Sequence, residues 1–344
     1  MKPGRRRLGR LAAACALTGL AAGLGVTLVA CSAGDQGVAS ATGQPATGQS
    51  ATARPAMARP AMAASAGAVC ARAAGSSTGQ AMDVGGRTRT FIEHVPAGFA
   101  AGPRYPAIIA FPGRGESASE LEAYSQLDST GAIVLYAQGL PGAGGQPTWE
   151  STPYQGASAH DYEFATDLVH LLASSSCVNP NLIDMAGKSD GAGFAASAAC
   201  DIPQVAAVAT ISGAFYEGEN HCAAGGHPLS ILNMHGTGDP VVPYDGSRAR
   251  GLYATGAWLG LWRQRDQCSG PGTDRSIAPD VIRTTWRSCA GGTEVVNYRI
   301  IGGGHTWPGA TTPSGGPGAT THSIDAAQAM AAFFAAHPWP GAAR

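Results

Sequence analysis

Gly187-Lys188-Ser189-Asp190-Gly191 fits G-x-S-x-G, the pattern in which a serine sits on a sharp turn with its hydroxyl presented for attack. A serine hydroxyl is a weak nucleophile alone. It needs a histidine to take its proton and an acid to orient that histidine. The pattern is a loose one in a chain with 49 glycines, and Gly75-Ser76-Ser77-Thr78-Gly79 fits it too. Context separates the two serines. Residues 182–186 are an apolar run that reads as a strand leading straight into the turn at Ser189. Residues 192–199 behind it are small and apolar and read as a helix. Strand, turn and helix are what such an elbow requires. Ser77 has no preceding strand and no following helix pattern, so it reads as a loop residue.

The partners must follow Ser189, in the order acid and then histidine. In "LSILNMHGTGDPVVPYDG" an apolar run ends in a loop that carries Asp239. In "VVNYRIIGGGHTWPG" another apolar run is followed by three glycines and His305. Both residues therefore fall after strand ends, where α/β sheets place their sites. Asp245 and Asp280 compete for the acid role and His322 for the base role. Stabilising an oxyanion takes two backbone N–H groups. One belongs to the residue after the nucleophile, Asp190. The other is expected in "AIIAFPGRGES", at Gly113 or Arg114. Trp149 and Trp307 are candidate substrate walls, because aromatic faces suit sugars, phenolics and acyl chains.

The elements that must hold these residues alternate. Apolar runs predict strands at 88–95, 107–111, 132–137, 182–186, 205–211, 229–234 and 295–301. Helical spacing predicts helices at 162–172, 192–199, 250–264 and 324–336, the last capped by Ser323 and stopped by Pro338. This is an α/β pattern: a mostly parallel central sheet with helices on both faces, in one domain over residues 69–344.

The N-terminus reads differently. Lys2, Arg5, Arg6, Arg7 and Arg10 precede an uncharged apolar stretch from 11 to 30, an export signal spanning residues 1–30. Leu28-Val29-Ala30-Cys31 resembles a bacterial lipobox, which implies cleavage before Cys31 and a lipid on its thiol, and so a membrane anchor. Arg5-Arg6-Arg7-Leu8 also fits a twin-arginine signal. Residues 31–68, rich in Ala, Thr, Gly and Pro, lack the large apolar side chains a core needs and read as a tether.

Cys70, Cys177, Cys200, Cys222, Cys268 and Cys289 lie beyond the leader. An even count in an exported domain predicts three disulfides, with fifteen possible connectivities. His221, Cys222 and His227 are close but lack a ligand spacing, so no metal is expected, nor any organic cofactor. A net charge of −1 with no basic cluster gives no footprint for nucleic acid.

"FPGRGESA", "CVNPNLIDMAGKSDGAGFAASAAC", "MHGTGDPVVPYDG", "WRQRDQC" and "YRIIGGGHTWPG", in this order, resemble the secreted polyhydroxybutyrate depolymerase-type esterases and the feruloyl esterases of carbohydrate esterase family 1. The resemblance runs over roughly residues 70–337. It implies an α/β-hydrolase fold, a Ser189–Asp239–His305 triad, an ester substrate that is oligomeric or polymeric, and no cofactor. It also implies the disulfides Cys70–Cys222, Cys177–Cys200 and Cys268–Cys289. The sequence departs from that pattern at Pro112, where the family usually has His, and at Lys188 and Asp190, where it has uncharged residues. Acyl transfer to a cell-envelope glycan uses the same residues as hydrolysis, and a non-catalytic surface lipoprotein with a relic site is the reading from another class.

Overall fold

The computed structural model describes residues 73–100, 102–219, 222 and 227–339. The expected signal segment, Cys31, the tether and Cys70 lie outside them. The chain opens with β1 (Ser77–Val84) and β2 (Arg87–His94), an antiparallel hairpin. Then come β3 (Tyr105–Phe111), α1 (Ala118–Ser125), β4 (Ile133–Ala137), the short pair β5 (Leu140–Pro141) and β6 (Pro147–Thr148), and α2 (Asp161–Ala173). The second half holds β7 (Val178–Lys188), α3 (Asp190–Asp201), β8 (Ala207–Ile211), β9 (Ser230–Gly236), α4 (Thr255–Arg265), β10 (Thr273–Ala278), β11 (Val281–Trp286), β12 (Val295–Ile300) and α5 (Ala326–Ala336).

Ten strands form one sheet in the order β1-β2-β4-β3-β7-β8-β9-β12-β11-β10. The six from β4 to β12 are parallel. β1 and β2 on one side, and β11 and β10 on the other, are antiparallel additions. The parallel strands are apolar on both faces because both faces are covered. On one side Phe111, Met185, Phe164, Phe194 and Trp258 pack together under α2, α3 and α4. On the other, Ile108, Tyr136, Met234, Leu121 and Phe334 pack under α1 and α5. Among the described residues no helix is long and apolar enough to cross a membrane.

All seven expected strands are present. β1, β10 and β11 were not expected: β1 and β10 are largely polar and exposed, and β11, though partly buried, has Arg-Thr-Thr at its centre and so no continuous apolar run. The short α1 was also missed. Its capping box is nevertheless legible: Ser117 accepts from the Glu120 N–H, and Glu120 reaches back to the Ser117 N–H. Two expectations fail at helix starts. The last helix is capped by Asp325, whose carboxylate accepts from the Gln328 N–H, not by Ser323. The helix expected from 250 begins at Thr255, after a tight turn over Arg248–Arg250.

Two of the three disulfides expected from the resemblance are not formed. Cys200 pairs with Cys222, which excludes both Cys177–Cys200 and Cys70–Cys222; Cys177 is disulfide-bonded, but not to Cys200. The reason is positional. Cys200 ends α3, with Cys222 in reach at a Cα separation of 5.3 Å, whereas Cys177 lies at the start of β7. Cys268–Cys289 forms as expected.

Candidate active site

Ser189 is the single residue between β7 and α3. Its φ of 54° and ψ of −124° lie where side-chain-bearing residues rarely go. The turn is held because its neighbours have no side chains to obstruct it. A Cβ on Gly187 would sit 2.3 Å from the Gly191 carbonyl oxygen, and one on Gly191 would sit 2.2 Å from that of Phe111. The Ser189 N–H donates to Ile211 O at 2.9 Å, and its carbonyl accepts from Ala214 N. The serine thus stands at the C-terminal edge of the central strands, above the start of a helix whose dipole favours negative charge.

Asp239 lies in the loop after β9. One carboxylate oxygen accepts the N–H groups of Val241 and Val242, each at 2.8 Å. The other lies 2.8 Å from His305 Nδ1. His235 Nε2 faces Val242 O at 2.8 Å and Asp239 at 3.4 Å, so this histidine braces the loop. Burial pushes the Asp239 carboxyl up, but hydrogen bonds from His235 and His305, the His305 charge and the Val242 N–H together hold it well below the usual range. Burial lowers His305, Asp239 opposes that, and the nearby Lys188 charge adds to the lowering. The ring is therefore neutral at neutral pH, with a proton on Nδ1 facing Asp239 and Nε2 free to accept. Ser189 and His305 line the same cleft, of about 210 Å³. Among the described residues no hydrogen bond joins Ser189 to His305. Of the competitors, Asp280 holds Thr321 and Asp245 is exposed.

A second Ser-His-Asp cluster occurs at the other G-x-S-x-G match. Ser77 Oγ is 2.9 Å from His94 Nδ1, and Asp128 is 3.3 Å from that same nitrogen. A relay needs the serine and the acid on opposite nitrogens. Here both occupy one, and Ser77 sits on an exposed extended strand with no following helix. The cluster ties β1 to β2 and to the turn before β4.

The expected oxyanion donors need one correction. The Gly113 N–H donates to Glu116 Oε2 at 2.9 Å, so it is committed to its own loop. The backbone N–H groups of Arg114 and Asp190 have no hydrogen-bond partner among the described residues, and both residues line the cleft that holds Ser189. Glu116 does more than hold Gly113. It accepts from Tyr124 Oη at 2.8 Å and pairs with Lys188 Nζ at 2.7 Å. Lys188 is fully buried, and its ammonium, held by Glu116, is close enough for its charge to act on His305. A lysine closing an apolar strand must find a buried partner, and that signal was available in the sequence. Glu116 as the partner was not.

Asp190, the other charged neighbour of Ser189, does face the cleft. Its carboxylate accepts from Thr148 at 3.0 Å. Burial pushes it up to about 6, against that hydrogen bond, the charge of Arg114, a hydrogen bond from Tyr216 and the charge of Arg250. The expected tryptophan walls are absent from the cleft. Trp149 is buried, donates to Pro112 O at 2.8 Å and stacks on Phe194. Trp307 is buried edge-on against Tyr124. Both are core. The lining is polar instead, with Arg114, Gln146, Tyr216 and Arg250 among its residues, none of them singled out from sequence except Arg114.

A parallel sheet with helices on both faces, and an elbow serine at its C-terminal edge, define the α/β-hydrolase fold. A solved acetyl xylan esterase from Aspergillus awamori superposes with a TM-score of 0.53 at 16% identity, over 75% of this chain and 99% of that one. In sequence the chain is 28% identical over 270 residues to NocK of Nocardia uniformis subsp. tsuyamanensis, provisionally named an esterase; this covers 70% of the chain and 77% of NocK. It is 30% identical over 233 residues to feruloyl esterase B of Piromyces equi, covering 63% of the chain but 42% of that protein. No protein-family model matches the chain.

Proposed function

We propose that this chain is an exported, lipid-anchored serine esterase that hydrolyses carboxylic esters through an acyl-enzyme. The observation that carries the proposal is the 2.8 Å His305–Asp239 contact opening into the cleft that holds the strained Ser189. His305 Nε2 takes the Ser189 proton as Oγ attacks the ester carbonyl. The tetrahedral oxyanion is met by the Arg114 and Asp190 N–H groups. Asp239 stabilises the imidazolium, which then protonates the leaving alcohol. Water activated by the same ring releases the acid. The names of the relatives support the ester class and favour feruloyl or other acylated polysaccharides over a polyhydroxyalkanoate.

A fluorophosphonate probe tests the nucleophile. Wild type should be labelled and Ser189→Ala should not; absence of labelling in wild type overturns the reading. A panel of short acyl, feruloyl and hydroxybutyrate-oligomer esters, run with both proteins, assigns the acyl group. Anchoring is tested separately: Cys31→Ala should move the protein from the membrane fraction to the medium.

A further inference from the structure

Two guanidinium groups stand over the cleft, and neither is paired with a carboxylate within ion-pair distance among the described residues. Arg114 stacks 3.9 Å above the Tyr154 ring and donates to Ala143 O at 3.2 Å. Its Nε is buried with no hydrogen-bond partner. Arg250 also lines the cleft, its exposed side chain held by a hydrogen bond to the Val241 carbonyl. Both are near enough to Asp190 to act on its charge. A stacked, carbonyl-anchored arginine is already ordered, so less entropy is lost when it binds a ligand.

The acidic groups lining this cleft are Asp190 and Glu116. Glu116 is occupied by Lys188, Tyr124 and the Gly113 N–H. Asp190 is taken up by Thr148 and Tyr216, leaving two fixed positive charges against one carboxylate. The walls also contribute Val241, Val242 and Tyr216.

We infer that Arg114 and Arg250 select an ester whose acyl or alcohol part carries a carboxylate, so that the preferred substrate is an acidic ester and not a neutral one. This deepens the esterase reading and rests on it. Guanidinium forks match carboxylate geometry, and a charge-assisted hydrogen bond gives discrimination of about tenfold to a hundredfold. The carboxylate lies either on the acyl chain, as in a half-ester of a dicarboxylic acid, or on the alcohol, as in an acylated uronic acid.

Paired substrates separate the two sources. One arm compares the mono-p-nitrophenyl ester of glutaric acid with p-nitrophenyl valerate. The other compares acetylated methyl glucuronoside with acetylated methyl glucoside. The inference expects the acidic member of one pair to be favoured about tenfold or more in kcat/KM. It expects that ratio to fall on adding salt and to collapse in Arg250→Gln and in the Arg114→Gln/Arg250→Gln double variant. Ser189-dependent turnover with no acidic preference in either arm overturns the inference and leaves the esterase reading standing. Failure of wild type to turn over any ester, with no fluorophosphonate labelling, overturns both.

Discussion

Lys188 Nζ lies 2.7 Å from Glu116 Oε1, and this buried pair ties the strand that carries Ser189 to the loop that carries Arg114. Glu116 spends its other oxygen on the Gly113 N–H and the Tyr124 hydroxyl, so one carboxylate positions the turn from which the Arg114 N–H projects. Gly315 closes the arrangement from the His305 loop: with φ at +70°, a Cβ there would meet Glu116 Oε1. The charged letters at the elbow thus divide their work. Lys188 holds the Glu116 loop and lends its charge to the surroundings of His305; Asp190, also buried, lines the cleft itself.

Removing one partner strands the other charge in the interior. Lys188→Met should destabilise the fold by about 3–5 kcal/mol. Lys188→Met/Glu116→Gln keeps an amide oxygen for Gly113 without either charge, and should recover most of that stability. Glu116→Ala leaves Gly113 unheld and should lower kcat about tenfold or more with little change in KM, because the oxyanion donor acts in the transition state. Urea unfolding and steady-state kinetics on the four proteins check this. A Glu116→Ala variant with unchanged kcat would show that the pair is structural only.

The acid limb of kcat/KM should report His305, with an apparent pKa below the ordinary histidine value because burial outweighs Asp239. Activity is present where the ring is neutral and is lost as pH falls through that pKa. Lys188→Met deletes a positive charge that disfavours the imidazolium, so the limb should move to higher pH. Lys188→Met/Glu116→Gln deletes a charge of each sign and should move it less. Asp239→Asn should cost about ten-thousand-fold in kcat, since an amide donating to Nδ1 holds the imidazole in the wrong tautomer and the countercharge is lost. pH–rate profiles of each variant give the answer; a limb that moves to lower pH in Lys188→Met would contradict the electrostatics.

Peptide mapping under non-reducing conditions should recover a Cys200–Cys222 cross-link and no Cys177–Cys200 species. The bridge closes a span of 22 residues and anchors the end of the helix that follows Ser189. Replacing both cysteines with serine should cost about 3 kcal/mol, read from thermal or urea unfolding, with kcat changed far less than stability.

Periodicity made the parallel core legible because strands buried on both faces are continuous apolar runs. β7, β8 and β9 announce themselves, and with them the loops that carry Ser189 and Asp239. Nothing comparable marks β10, whose residues are exposed, or the cap at Asp325, which competes with Ser323 two positions away. Type and order of residues were enough to nominate Ser189, Asp239 and His305, because each follows a legible strand. The Glu116–Lys188 pair spans 72 residues and the Arg114–Arg250 placement 136, so no local pattern could reveal either. The tryptophans erred in the opposite sense. A large aromatic beside a site motif looks like a wall, but burial against Phe194 and Tyr124 consumes both.

Asp190 gives the sharpest test of charge in the cleft. Burial raises its carboxyl to about 6, so at pH 7.5 it is ionised and at pH 5 it is largely protonated. An ionised Asp190 opposes an acidic substrate and the oxyanion forming at its own N–H. Asp190→Asn retains the hydrogen bond with Thr148 and removes that charge. At pH 7.5 the variant should therefore prefer acidic over neutral esters more strongly than wild type does. The gain should shrink as pH falls through about 6, because the wild-type carboxyl then becomes neutral as well. Ratios of kcat/KM for the paired esters, measured at both pH values, decide it. A gain of the same size at pH 5 and pH 7.5 would mean that Asp190 acts through shape, not charge.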